Sequence, residues 1–202
     1  MKFRNLAQTA FAILAAVALA ASAARGQTII GTGNSSSYLV IQAPDTPAFG
    51  SLFYQVFYNY DPGVNLDTYY LLNLVTAADP TLSINYINYG SPDAPNYFID
   101  SITHSGTTLT GTSTPPFSPF WYQAVSGGES GSPVIAPIAS GAWQEGSGVS
   151  VRYITPGSWD GFVYGEFGDN PSIAPVPEPS SWLLLGAGGA FLLLLKRRKT
   201  HA

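Results

Sequence analysis

The chain has no cysteine, which removes thiol catalysis, thiolate metal sites and disulfide cross-links at once. Charge is also sparse, and positive charge is almost confined to the ends. Of the eight Lys and Arg residues, seven are Lys2, Arg4, Arg25, Lys196, Arg197, Arg198 and Lys199. Between Gln27 and Pro177 the sole cation is Arg152. The same stretch holds eleven acids: Asp45, Asp61, Asp67, Asp79, Asp93, Asp100, Glu129, Glu145, Asp160, Glu166 and Asp169. Eleven carboxylates against one cation leave this body at about −10, far from the −4 of the whole chain. Phosphate recognition needs clustered Lys and Arg, so nucleic acid is excluded as a partner, and anionic lipid for the same reason. Divalent cations and neutral polymers remain compatible. No Gly-x-Ser-x-Gly elbow, Walker loop, dinucleotide fingerprint or internal repeat occurs. His104 is alone in the body, so a histidine-rich zinc site is excluded too.

What the chain does have is two addressed ends. Lys2 and Arg4 precede an apolar run from Ala10 to Ala21, and small residues follow. This is the layout of a secretory signal peptide, which implies the Sec export machinery as a partner. Cleavage after Ala23 and after Gly26 both suit a peptidase that selects small side chains, and the second is preferred, leaving Gln27 first. Residues 1–26 thus read as signal peptide and 27–172 as an exported acidic, β-rich domain. Residues 173–179 read as a proline-rich spacer, and 180–202 as a hydrophobic helix with a basic tail.

The far end carries Val176-Pro177-Glu178-Pro179, then an apolar run from Trp182 to Leu195, then Lys196-Arg197-Arg198-Lys199. Ser180 to Leu195 is sixteen residues without a charge, about 24 Å of helix at ~1.5 Å per residue. That is a minimal span for a ~30 Å hydrocarbon core, with snorkelling cationic stems making up the difference. The four cations favour keeping that end in the cytoplasm. Pro177 and Pro179 fix φ and hold the motif extended. These residues resemble the PEP-CTERM sorting signal of Gram-negative bacteria. The resemblance implies recognition by an exosortase, cleavage near Glu178, a transient membrane anchor, and delivery to the outer surface or a biofilm exopolysaccharide matrix. It makes Val176, Pro177, Glu178, Pro179, Trp182, Lys196, Arg197, Arg198 and Lys199 the sorting residues.

The body is large enough for one cored domain. Its pattern predicts a single helix over about 66–78, capped by Asn65 or Asp67 and ended at Asp79-Pro80. Leu71, Leu74, Val75 and Ala78 fall on one helical face. Strands are predicted at Leu39–Gln42, Leu52–Tyr58, Leu82–Tyr89, Tyr97–Thr103, Phe120–Val125, Val149–Ile154 and Gly161–Phe167. The order is similar to the small domain at the C-terminus of transcobalamin and in many bacterial surface proteins. Leu71-Leu72, Ile99-Asp100-Ser101-Ile102, Trp121-Tyr122-Gln123-Ala124-Val125 and Pro156-Gly157-Ser158-Trp159-Asp160-Gly161-Phe162 carry that resemblance. It implies an α+β, mostly β, β-grasp-like fold; an all-β sandwich is the alternative.

Chemical motifs in the body are few. Gly128-Glu129-Ser130-Gly131-Ser132-Pro133 mimics the nucleophile segment of trypsin-like proteases, with Ser130 as nucleophile and His104 as base. That chemistry also needs a buried carboxylate oriented on the histidine, and a flexible Gly/Ser loop explains the segment better. Asp160, Glu166, Asp169 and Asn170 offer oxygens to calcium but lack loop spacing and read as solvated strand-end acids. Trp121, Trp143 and Trp159 are candidates for stacking on sugars, with core packing the commoner fate of tryptophan. The expectation is a non-enzymatic adhesion or matrix module without cofactor, with exopolysaccharide as a partner. The alternatives are a small-ligand binder of transcobalamin type and, more remotely, a hydrolase.

Overall fold

A computed structural model describes residues 27–112, 118–131 and 135–175. The signal peptide, the sorting residues from Val176 onward, and Ser132 and Pro133 lie outside the described residues.

The chain runs through β1 (Gln27–Gly31), β2 (Ser35–Gln42), β3 (Ser51–Tyr58), α1 (Thr68–Ala78), β4 (Leu82–Asn88), β5 (Tyr97–His104) and β6 (Thr107–Thr110). It continues through β7 (Phe120–Ser126), β8 (Glu129–Ser130), β9 (Ala136–Pro137), β10 (Gln144–Glu145), β11 (Arg152–Tyr153) and β12 (Trp159–Gly165). Six strands form one mixed sheet in the order β1-β3-β2-β12-β7-β10. β1 runs parallel to β3, and β12 parallel to β2. β4-β5-β6 form an antiparallel meander and β11-β8-β9 a small third sheet. The fold is α+β and mostly β, as expected, with one helix among the described residues. The helix lies inside the core, so the all-β sandwich does not hold.

Strand register explains the core. With a side-chain period of two, Leu39 and Ile41 of β2 share a face with Tyr54, Val56 and Tyr58 of β3 and Phe162 of β12. These side chains are buried against Leu71, Leu72 and Val75 of α1 and Leu82 and Ile102 of the meander. Each such burial stabilises by roughly 1.5–3 kcal/mol relative to exposure.

The helix starts at Thr68, two residues later than predicted, because Asp67 is its cap. The Asp67 carboxylate accepts the Tyr70 backbone N–H at 2.8 Å, which satisfies one of the free donors of the first turn. The buried face is Thr68, Leu71, Leu72 and Val75. It is rotated from the predicted one because Ala78 is exposed while Leu72 points into the sheet.

Other corrections follow from hydrogen bonds that run outside the ladders. Val149–Ile154 is not one strand, and only Arg152–Tyr153 pairs. The Val149 N–H donates to the Tyr97 carbonyl (3.1 Å) and the Ile154 N–H to that of Leu66 (2.8 Å), so the segment stitches between layers. β2 begins at Ser35, because Ser37 is satisfied where its poor strand propensity would suggest a loop. Its hydroxyl meets the Tyr58 hydroxyl at 2.8 Å and the Ser158 hydroxyl at 3.0 Å.

Candidate functional site

Arg152, the body's one cation, is not on the surface. Arg152 and Asp160 are both 0% exposed, with Nε 3.5 Å from Oδ1. The guanidinium also donates to the carbonyls of Glu129 (3.2 Å) and Tyr153 (2.6 Å). Asp160 Oδ1 accepts from Thr68 Oγ1 at 2.7 Å and from Gln123 Nε2 at 3.2 Å. This node ties α1, β7, β8 and β12 together. Gly128, at φ +73°, is required beside it, because a Cβ there would strike the guanidinium. Asp160 is therefore a buried ion-pair partner and not a solvated acid. Among the described residues no Lys or Arg reaches solvent, so the body's exterior is anionic throughout.

The protease reading does not assemble. The Ser130 hydroxyl meets that of Ser147. His104 donates from Nδ1 to the Phe49 carbonyl (2.7 Å) and accepts at Nε2 from Ser105 (3.2 Å). Both ring nitrogens are engaged away from Ser130, on a different sheet.

The tryptophans have two fates. Trp121 is buried, with Nε1 donating to the Leu109 carbonyl at 3.0 Å. Trp159 is buried on the outer face of the large sheet, where it stacks on Tyr38 at 4.3 Å and on Phe53 at 5.6 Å. Trp143 meets Trp159 edge-on at 6.3 Å. The end of the body packs beside this cluster, on Trp143 and Gly161. Pro171 packs over Gly161 of β12. Ser172 donates its N–H to Gln42 Oε1 at 2.8 Å and accepts Gln42 Nε2 at 2.9 Å. The Ile173 carbonyl accepts Trp143 Nε1 at 3.0 Å, and Pro175 is buried. The docked strap thus runs to Pro175, into the segment read as a spacer.

A second aromatic group stays open. Near the β7 edge, between β5, β7 and the turn after β10, lies a cleft of about 330 Å³. Its rim carries Tyr89 (68% exposed), Phe98 (40%) and Phe167 (69%). Tyr89 and Phe98 meet edge-on at 5.5 Å, and Tyr122 and Phe167 at 5.3 Å. Asp100 and Glu145 supply the cleft's carboxylates. Neither is in an ion pair among the described residues, where the pair is Arg152–Asp160. Burial, and secondarily the Glu145 charge, raise the Tyr122 pKa, so its hydroxyl stays protonated as a donor. Sequence reasoning singled out none of these rim rings. The signal was there: Tyr89-Gly90 and Phe167-Gly168 are aromatics just past the ends of β4 and β12, each beside a glycine.

Residues 175–199 match the family model of the PEP-CTERM protein-sorting motif. The C-terminal segment is thus similar to PEP-CTERM sorting signals. It implies export and exosortase-dependent sorting to the cell surface. No curated protein and no solved structure matches the chain, so the transcobalamin-like resemblance gains no support. Among the described residues no helix is long and apolar enough to cross a membrane, and no group of three or more metal-ligating side chains gathers.

Proposed function

We propose that the body is a non-enzymatic adhesion or matrix module, exported behind the signal peptide of residues 1–26 and held at the membrane by residues 180–202 until the tail is cut. The observation that carries this is where the motif begins. The match to the sorting motif opens at residue 175, and Pro175 is buried on the body. Seven residue steps separate Pro175 from Trp182, which reach at most about 25 Å. The body therefore sits within that distance of the hydrophobic run, with Glu178 between the two. Two properties support the non-enzymatic reading: Ser130 and His104 are engaged with other partners, and among the described residues the exposed charges are carboxylates with no Lys or Arg beside them.

Glu178→Ala tests the sorting step. The expected outcome is full-length chain retained in membranes, while the unaltered protein loses its basic tail. Equal processing of both, read by membrane fractionation and mass, would remove Glu178 as the recognition element.

A further inference from the structure

The cleft between β5, β7 and the turn after β10 combines three properties that together select a ligand class. Its rim presents aromatic rings to solvent, although exposed rings are costly to leave uncovered. Tyr89, Phe98 and Phe167 are 68%, 40% and 69% exposed, and they stand in two edge-on pairs, with Tyr89 on Phe98 and Phe167 on Tyr122. The charged groups of its lining are carboxylates, Asp100 and Glu145. No cation reaches the surface of the described residues, because Arg152 is sealed against Asp160. The volume, about 330 Å³, lies at the lower end of small-ligand sites (~300–1,000 Å³), and it is open rather than enclosed.

From this we infer that the cleft binds a short stretch of an uncharged saccharide chain. The electron-rich ring faces accept the weakly positive C–H faces of a pyranose. The two carboxylates accept its hydroxyl protons in charge-assisted hydrogen bonds. A chain bearing carboxylate, sulfate or phosphate would meet like charge with no compensating cation, so anionic glycans are rejected. Gly111, Gly146 and Gly148 in the lining keep side chains out of the floor. This inference rests on the matrix-module reading and names the polymer that such a module would hold.

The test is calorimetric titration of the full chain in detergent with three oligomers: a neutral glucan, a uronic-acid oligomer, and an amine-bearing glucosamine oligomer. The neutral oligomer should bind, and the uronic-acid oligomer should not. Tyr89→Ala and Phe167→Ala should each weaken binding by about tenfold or more, the scale of an anchor ring at a binding site. Their thermal midpoints should stay near that of the unaltered chain, because both rings are largely exposed. Asp100→Asn, which keeps the shape, should weaken binding as well. Failure of the neutral oligomer to bind would overturn the inference, as would equal binding of the uronic-acid oligomer or unchanged affinity in all three variants. Salt-sensitive binding of the amine-bearing oligomer alone would also overturn it, by assigning the cleft to a cation. Shortening of the bound oligomer would instead overturn the non-enzymatic reading. The titration uses unsorted protein, so its outcome and that of the Glu178 test stand apart.

Discussion

Two of the body's aromatic clusters differ chiefly in what lies against them. Tyr38, Phe53, Trp143 and Trp159 form a stacked group whose Trp143 side is held by the strap from Pro171 to Pro175. Tyr89, Phe98, Tyr122 and Phe167 border a cleft that no described segment covers. The strapped group contains two of the three tryptophans that composition would nominate for ligand stacking. The open group's rim contains none, and the third, Trp121, is buried in the cleft's lining. Aromatic content therefore identifies rings that must be satisfied, and chain topology decides whether protein or ligand satisfies them.

The comparison can be broken most forcefully at Trp159. Truncation to Ala removes a buried, stacked ring and should cost about 3–5 kcal/mol of stability. Thermal melts would show this as a large drop in midpoint, with affinity at the open cleft unchanged in whatever fraction remains folded. Loss of binding without loss of stability would mean that the strapped cluster is the true site.

A smaller effect is expected from Gly161→Ala, which wedges a methyl group between β12 and Pro171, close to Trp143. Overpacking of this kind costs about 1–3 kcal/mol. It should act by lifting the strap, so proteolysis at residues 171–175 should accelerate while the core melts almost as before.

Alkaline titration isolates the buried tyrosines from the rim. Burial, reinforced for Tyr54 by Asp79 and for Tyr86 by the nearby hydroxyl of Tyr69, raises both pKa values. Tyr58 is pushed up to about 12, chiefly by burial. These groups keep their protons in the folded state above the unfolded value near 10. Their contribution to stability is complete below about pH 10 and is lost as pH rises through the folded values. Denaturant midpoints should hold to about pH 10 and then fall, and tyrosinate absorbance should rise in step with unfolding.

Much of this arrangement was legible in the sequence, and the rest was hidden for identifiable reasons. The helix was visible because Asp67 and Asp79-Pro80 are local stop and start signals, and the hairpin strands because their partners lie nearby in the chain. The parallel pairings of β1 with β3 and of β12 with β2 were not visible, since each joins segments far apart or next to a targeting sequence. Arg152 stood out in the sequence only as the body's sole cation. Nothing local announces that Asp160, in the next strand, will bury it. The strap escaped notice because proline-rich composition suggests a free linker, whereas its order comes from Gln42 and Trp143, well outside it in sequence. The sorting signal was fully legible, because its physics is contiguous: rigid prolines, a short apolar run and a cationic stop.

The central claim is that the body keeps its docked strap, Pro171 to Pro175, while the basic tail is removed. The intact mass of the protein released from its native cell surface tests it most directly. The account predicts a chain that keeps Pro171 to Pro175 over the outer sheet face, ends near Glu178, and lacks Lys196-Arg197-Arg198-Lys199. A mass that retains the basic tail, or one that ends before Pro171 and so lacks the strap on Gly161 and Trp143, would contradict it.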